Sequence, residues 1–197
     1  MKEEFYNLLK STKREGVDNV LVQLGKIGFF EAPASRKDHL GYPGGLMQHS
    51  LNVYRVAIAL AEDLKILRPG LQLNKDSIII ASLLHDICKS TRYKLNKEGK
   101  YEKNFSDFPA GHGEKSVIML LQWGLSLTDD EILAIRWHMG PWQLALHNDE
   151  QTKDYVQAEN TCPLMTLIHT ADTLAAKIIE ISKTDIDEQN KVTDILR

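Results

Sequence analysis

The sequence predicts an all-α protein that folds as a single helical domain. Over most of the 197 residues, apolar side chains recur at intervals of three and four residues, the spacing of one face of an α-helix. Segments with the strict alternation of a half-buried strand are scarce. Because 43% of the residues are hydrophobic, the chain can build one sizeable core, and we expect residues 1–197 to form one domain.

The apolar spacing places the helices near residues 2–13, 17–28, 46–63, 76–89, 112–123, 129–139 and 163–182. Two of them have clear start signals. Thr128 and Glu131 match the capping box that precedes a helix. Pro163 suits a first helical turn, where its missing N–H is not needed.

Three longer connections separate these helices. Residues 29–45 contain glycines and prolines that indicate tight turns before the third helix. Within residues 91–111, the segment 92–103 predicts a small β-hairpin, because a Gly-containing turn separates two short extended runs. Residues 140–162 are polar, and acidic in their second half, which predicts a mobile loop. The last ~14 residues have the composition of a loosely attached polar tail.

Charge and composition exclude several classes of protein. The formal net charge is -3, so no global positive field would draw the chain onto a long nucleic acid or an anionic membrane. No segment approaches the ~20 uncharged apolar residues of a membrane span, and the N-terminus lacks the pattern of an export signal. Two cysteines, Cys88 and Cys162, are too few for a disulfide framework. We therefore expect a soluble, cytoplasmic protein with reduced thiols.

Ionisable side chains interrupt the apolar helices. In LLHDICK (residues 83–89), His85 and Asp86 follow two leucines within an otherwise apolar run. An unpaired ionisable group costs several kcal/mol in such surroundings, so each needs a partner. Further candidates with the same property are His49, His112, His138, His169 and Asp172. Singly, each histidine is also consistent with a hydrogen-bonded core or surface residue, and the His85-Asp86 pair with a buried pair that binds no metal.

The ordered series of these residues resembles the HD-domain family of metal-dependent phosphohydrolases, from about residue 44 to about residue 177. The phrases GGLMQHSLNV and LLHDICK resemble most the HD domain of YhaM-type 3′-to-5′ exoribonucleases. The resemblance implies a metal-binding core at about 44–182. It implies that one metal is held by His49, His85, Asp86 and Asp172, and in binuclear members a second by His112 and His138, with Asp86 bridging. Mn, Fe, Zn, Ni and Mg all suit such ligands.

The chain departs from the family pattern at two positions. Cys88 stands where many members have Gly, which we expect to tighten the end of the helix and leave the ligands untouched. His138 lacks the adjacent second His of some binuclear members, so the chain is expected to bind either one metal or two.

The resemblance implies hydrolysis of a phosphate ester by a metal-activated hydroxide, with Asp86 orienting the hydroxide. Lys89 lies three residues after Asp86 and is predicted to offset charge on the phosphoryl oxygens, although a solvated lysine at a helix end is an equal alternative. Lys115 shares a helix start with His112, where anions are favoured, or is an ordinary surface residue. His169 is predicted to fix Asp172, to contact substrate, or to lie in the core.

The segment 92–103 carries five basic residues against two acidic ones, which suggests a flap that holds a nucleotide-like phosphate. Arg92 and Lys94 are its candidate substrate contacts; the competing interpretation is a solvated basic hairpin. The predicted partner is a small phosphorylated, nucleotide-like molecule, a monoester or a diester, and a homodimer stays open. The alternative functions are 3′-to-5′ cleavage of short single-stranded RNA and a metal-containing nucleotide-sensing module without turnover.

Overall fold

A computed structural model of the protein describes residues 1–36, 39–104, 108, 111–144 and 149–181. It confirms the all-α class and the small hairpin. The α-helices are α1 (Lys2–Ser11), α2 (Val17–Lys26), α3 (Gly45–Leu67), α4 (Lys75–Leu84), α5 (Lys89–Arg92), α6 (His112–Gln122), α7 (Asp129–Arg136), α8 (Asp149–Thr161) and α9 (Pro163–Leu174). The predicted polar tail lies outside the described residues.

The core lies around α3. This helix packs against α4 and α9, while α7 packs against α4, α6 and α9. Each of the three helices α3, α4 and α9 contributes completely buried side chains, for example Leu51, Leu83 and Ile168. The helices that meet in this core are those whose ends carry the predicted metal ligands.

The predicted hairpin is present. Strand β1 (Tyr93–Leu95) pairs antiparallel with β2 (Tyr101–Lys103), with Lys94 opposite Glu102. The turn between them is closed by Asn96, whose side chain accepts hydrogen bonds from the backbone N–H groups of Glu98 and Lys100. The hairpin follows α5 directly, so it rises from the same corner of the molecule as the LLHDICK segment.

The LLHDICK segment is not one continuous helix, contrary to the predicted helix over 76–89. Helix α4 ends at Leu84, and the next turn is tighter: the N–H groups of Lys89 and Ser90 donate to carbonyls three residues earlier, at Asp86 and Ile87. Such i to i+3 bonding is typical of a 3₁₀ turn. His85 and Asp86 therefore lie at a change of helical geometry, which turns both side chains inward.

Residues 140–162 were expected to be a loop, and this prediction was wrong in its second half. After a 3₁₀ turn at Gly140–Gln143, residues Asp149–Thr161 form α8. The helix is polar on most of its surface and buries only Tyr155 and Ala158. Its apolar stripe is too narrow to produce a helical pattern in the sequence. The helix packs on the core through Tyr155, whose ring lies edge-on to that of Trp137 at 5.5 Å between ring centroids.

Both predicted start signals are confirmed. Thr128 Oγ1 accepts from the Glu131 N–H at 3.3 Å, and the Glu131 carboxylate accepts from the Thr128 N–H at 2.9 Å. Pro163 occupies the first turn of α9. Glu131 is also bound by both terminal nitrogens of Arg14, at 2.7 and 2.8 Å, which fixes α7 to the connection between α1 and α2.

Length and hydropathy decide whether a helix in the described part of the chain could span a membrane. None of the helices there is long and apolar enough to cross a bilayer.

Candidate metal centre

The six predicted metal ligands converge from five segments. His49 lies in α3, His85 and Asp86 in the turn after α4, His112 at the first position of α6, His138 two residues after α7, and Asp172 in α9. The side chains of His49, His85 and His138 are fully buried, and that of Asp86 is 1% exposed. Helix ends that are far apart in sequence therefore form one buried polar cluster inside an apolar core.

Asp86 lies at the middle of this cluster and divides it into two halves. Its Oδ2 atom is 3.3 Å from His85 Nε2 and 3.6 Å from His49 Nε2. Its Oδ1 atom is 2.6 Å from His112 Nε2 and 3.3 Å from His138 Nε2. Asp172 Oδ1 completes the first half, 3.1 Å from His49 Nε2. We call these the His49 half and the His112 half.

The buried ring nitrogens fit a divalent cation. Among the described residues, His49 Nε2, His85 Nε2 and His138 Nε2 are buried without a hydrogen-bond partner. Leaving such groups unsatisfied is costly, whereas neutral imidazole nitrogens and carboxylate oxygens are suitable cation ligands. Ligand atoms of His49, His85 and Asp172, and likewise of His85, Asp86 and His138, lie close enough together to hold a metal ion.

Two histidines are oriented for this role by backbone carbonyls. His85 Nδ1 lies 2.9 Å from the Ser82 carbonyl oxygen, and His138 Nδ1 lies 2.7 Å from that of Ile135. A carbonyl only accepts, so each ring donates from Nδ1 and turns Nε2 toward the centre. This arrangement is typical of metal-binding histidines.

His49 is oriented by a carboxylate that the sequence did not reveal. Its Nδ1 lies 3.0 Å from Glu180 Oε2 and 3.1 Å from Oε1, and Asn52 donates to the same carboxylate at 3.0 Å. Glu180 follows a π-helical turn, Ala175–Ile179, in which its N–H bonds to Ala175 five residues earlier. The predicted helix over 163–182 is therefore an α-helix to Leu174 that continues as a wider, π-helical turn. Residue 182 lies outside the described residues.

A further residue beside the centre also escaped prediction. His39, in the connection before α3, lies 5.1 Å from His49 between ring centroids, and its Nε2 is 3.7 Å from Glu180 Oε2. It precedes the apolar run of α3 and belongs to no helical pattern, so the sequence carried no signal for it.

The surroundings of His112 differ. Its Nδ1 lies 2.9 Å from Cys88 Sγ and 3.4 Å from a terminal nitrogen of Arg92. The expectation that Cys88 leaves the ligands untouched was therefore wrong: a side chain at this position reaches the imidazole from behind. Gly113 permits the close approach of α6 to the end of α7, because a Cβ atom there would lie 2.0 Å from the Arg136 carbonyl oxygen.

Electrostatics stabilise the charged forms of the carboxylates. Burial works against the Asp86 carboxylate, but Lys89 and the neighbouring histidines hold its pKa well below the usual range. Burial likewise disfavours a charged His49, yet the carboxylates of Asp172 and Glu180 outweigh it and raise the pKa of His49 to about 9. For His112, burial prevails and lowers the pKa to about 4. The surroundings of His49 therefore favour positive charge more than those of His112, although Asp86 also raises the pKa of His138, which burial opposes.

Of the four predicted substrate contacts on this side of the molecule, two lie at the centre and two lie away from it. Lys89 pairs with Asp86 Oδ2, and Arg92 reaches His112, so both lie at the centre. Lys94 is exposed on the hairpin and lies 3.4 Å from Glu102. Lys115 is buried and donates to Thr91 Oγ1 at 2.8 Å, which ties α6 to α5.

His169 is half-buried, and its ring bonds to the backbone of His138 and not to Asp172. Its Nδ1 lies 2.7 Å from the His138 carbonyl oxygen, and its ring packs against Gly140, where φ is +62°. A Cβ atom at Gly140 would lie 2.6 Å from the ring. His169 therefore supports the turn that carries His138.

Comparisons with known proteins give a family match and a relative of known activity. The family model described as HD domain matches residues 46–177. The dihydroneopterin 2′,3′-cyclic phosphate phosphodiesterase of Methanocaldococcus jannaschii is 39% identical over 72 residues, which cover 36% of this chain and 28% of that protein. No solved structure gave a significant match. The finer resemblance to YhaM-type exoribonucleases is not specifically supported by these matches.

The match to the family model spans most of α3 to the turn after α9, the same segment that supplies all six converging side chains. HD domains bind divalent metals, and the described residues contain groups suited to hold them. This chain belongs to the HD-domain family.

Proposed function

We propose that this protein is a metal-dependent phosphohydrolase acting on a nucleotide-like phosphate monoester or diester. The observation that carries the proposal is the buried Asp86 carboxylate, whose two oxygens face two separate groups of histidine nitrogens. Membership of the HD-domain family and the phosphodiesterase name of the archaeal relative support the same reaction class.

In this proposal, one divalent cation is held by His49, His85, Asp86 and Asp172, and a second by His112 and His138 with Asp86 shared. When bound, such ions lower the pKa of a water ligand toward ~7 and polarise phosphoryl oxygens. Mn, Fe, Zn, Ni and Mg all accept this mixture of imidazole and carboxylate ligands.

Two cations of the chain are placed to receive a phosphoryl group. The Lys89 side chain is 13% exposed and lies against Asp86, so its ammonium group can offset negative charge at the edge of the centre. Arg92 is half-buried, and within the described ranges no carboxylate pairs with its guanidinium group. A half-buried guanidinium that lacks a carboxylate partner among the described residues favours a phosphate ligand, which it can bind through two parallel hydrogen bonds.

The other predicted contacts receive lesser roles. Lys94 would make an outer contact at most, because it is exposed and already paired with Glu102. Lys115 and His169 would act through the backbone segments that they support, α5 and the His138 turn.

The relative's name directs the choice of substrates, since a 2′,3′-cyclic phosphate is a phosphodiester. We therefore propose small cyclic phosphodiesters of nucleotide-like molecules as the first substrates to test. Cleavage of single-stranded RNA has less support, because a continuous basic track is missing from the described hairpin: Lys94 and Lys100 each lie 3.4 Å from a glutamate.

The test is the Asp86→Asn variant, which keeps the shape of the side chain but removes its charge. We expect Mn²⁺-dependent phosphate ester hydrolysis to fall by at least ~100-fold, because both halves of the centre lose their shared carboxylate. Asp63→Asn, on the exposed part of α3, is the matched control and should keep full activity. Hydrolysis that survives in Asp86→Asn would refute the proposal.

A further inference from the structure

Two of the six tyrosines in the chain, Tyr93 on β1 and Tyr101 on β2, lie on the hairpin and are half-buried. Three others take part in the hydrophobic core: Tyr6 and Tyr54 pack against it, and Tyr155 is buried in it. Within the described part of the chain, the two hairpin tyrosines are not among the apolar side chains that pack on this core. An aromatic ring that is partly covered without joining the core is a candidate contact for a ligand.

The two rings share one face of the hairpin. Lys94 lies opposite Glu102 in the pairing of β1 with β2, and each tyrosine is the chain neighbour of one member of this pair. Since successive side chains of a strand point to opposite faces, both tyrosines lie on the face away from Lys94 and Glu102. The side chains of Lys94 and Glu102 are exposed, so the tyrosine face is the one turned toward the rest of the molecule.

The spacing of the two tyrosines leaves room for a flat ring. Tyr93 lies opposite Lys103, two residues beyond Tyr101, so the tyrosines are diagonal neighbours, which are ~7–8 Å apart in an antiparallel pair. This is about twice the ~3.5–4.0 Å at which carbon atoms make contact. Among the described residues, neither ring contacts the other or a third aromatic ring. A planar heterocycle would therefore fit between them, with one tyrosine on each side.

The space between the tyrosines lies beside the cations proposed to bind phosphate. Arg92 directly precedes Tyr93, and its guanidinium faces the candidate metal centre. Lys89 bonds to Asp86, and although burial opposes its charge, Asp86 and Tyr93 are among the groups that raise its pKa. This electrostatic effect indicates that the Tyr93 side chain lies near the ammonium group. A ligand whose phosphate is bound by Arg92 and Lys89 would thus extend along the tyrosine face.

The Tyr93 end of the hairpin is held in place. Asn104 donates from its backbone N–H to the Arg92 carbonyl at 2.8 Å and from its side chain to the Thr91 carbonyl at 3.0 Å. Lys115 of α6 donates to Thr91 Oγ1 at 2.8 Å. Because Tyr93 follows these anchored residues, its ring is the inner wall of the space, and the ring on β2, nearer the turn, is the outer wall.

We propose that Tyr93 and Tyr101 form an aromatic clamp that binds the flat heterocycle of the substrate, while Arg92 and Lys89 bind its phosphate. This inference rests on the proposed function and narrows its substrate class. The substrates are small phosphate esters in which a base-like heterocycle is joined to the phosphate through one sugar or a linker of similar length. Sugar phosphates without a base are poorer substrates, because only the heterocycle has a π-face on which an aromatic side chain can stack.

The first test measures binding without turnover. The probe is the 5′-monophosphate of 2-aminopurine riboside, whose fluorescence is quenched when its base stacks on an aromatic ring, and EDTA prevents metal-dependent hydrolysis. The wild type should quench the probe saturably, and Tyr93→Leu should weaken binding by at least ~5-fold, the lower end of the loss expected for one stacking ring. Tyr93→Phe keeps the ring and should bind as the wild type does. Absence of quenching in the wild type, or unchanged binding in Tyr93→Leu, would overturn the proposal.

The second test compares two substrates that differ in the base, adenosine 2′,3′-cyclic phosphate and ribose 2′,3′-cyclic phosphate. With Mn²⁺, Tyr93→Leu should raise KM for the adenosine ester by at least ~5-fold and leave kcat/KM for the ribose ester unchanged. Tyr101→Leu should show the same selectivity with a smaller change. Glu102→Gln, on the opposite and exposed face, is the matched control and should hydrolyse both esters like the wild type. Equal losses with both esters in Tyr93→Leu would contradict the clamp.

The clamp and the proposed function fail in different ways. A protein that hydrolyses neither ester would refute the proposed function, while the quenching of the 2-aminopurine probe would still decide whether the two tyrosines bind a heterocycle. A wild type that hydrolyses both esters equally well would support the proposed function and overturn the clamp.

Discussion

The two halves of the candidate metal centre share Asp86 but are built differently. In the His49 half, a carboxylate and an asparagine fix His49 from behind, and its ring is completely buried. In the His112 half, a thiol and a guanidinium lie behind His112, whose side chain is 13% exposed. The His49 half has four candidate ligands and the His112 half three, with Asp86 counted in both. The difference teaches that the groups behind the ligands, as well as their number, decide how ready each nitrogen is to bind a cation.

The largest effect should separate the two halves by single deletions. His85→Ala should lose metal altogether, since it removes a ligand of the better prepared half. His112→Ala should keep about one equivalent and lose only the second. Elemental analysis of the two purified variants beside the wild type checks this. Equal losses in both variants would show that the halves bind as one unit.

A second effect follows from the charge on His49. The raised pKa of about 9 means that His49 Nε2 holds a proton at neutral pH when no cation is bound, and a cation must displace it. As the pH rises toward ~9, the affinity for the first ion should therefore increase by about tenfold per pH unit. Above pH ~9 it should level off.

Calorimetry in buffers of different ionisation enthalpy would count the released proton. Release of about one proton at neutral pH is expected for the first ion. Binding that is independent of pH between neutrality and pH ~9 would contradict the role given to Asp172 and Glu180.

The smallest effect should come from Glu180→Gln. The amide keeps the shape of the side chain but loses the charge that supports His49, so affinity for the first ion should fall by ~10-fold while the second ion is affected less. Glu62→Gln, exposed on α3, is the matched control. A uniform loss at both sites would point to damage of the fold rather than to a specific support of His49.

The sequence predicted those features of the fold and of the candidate site that depend on residue identity and on regular spacing along the chain. The core helices follow from apolar periodicity, and the capping box at Thr128 follows from local hydrogen-bonding chemistry. The six predicted ligands, whose side chains converge, follow from the family resemblance. Helix α8 was missed because only Tyr155 and Ala158 give it an apolar side. A polar helix that is held by so few contacts has no periodic signal.

The groups behind the ligands were also missed, for a different reason. Glu180 reaches His49 because a π-turn changes the helical register before it, and Cys88 reaches His112 because α4 tightens before α5. Both contacts join residues far apart in sequence, 131 positions in the case of His49 and Glu180. No local pattern encodes a change of register of this kind, so only the folded chain reveals it.

The most direct test of the unequal halves is anomalous diffraction from crystals of the full chain soaked at a low and at a high Mn²⁺ concentration, without phosphate. We predict one peak at the low concentration, among His49, His85, Asp86 and Asp172, and a second peak beside His112 and His138 only at the high concentration. Two peaks of equal height at the low concentration, or a first peak beside His112, would contradict the account.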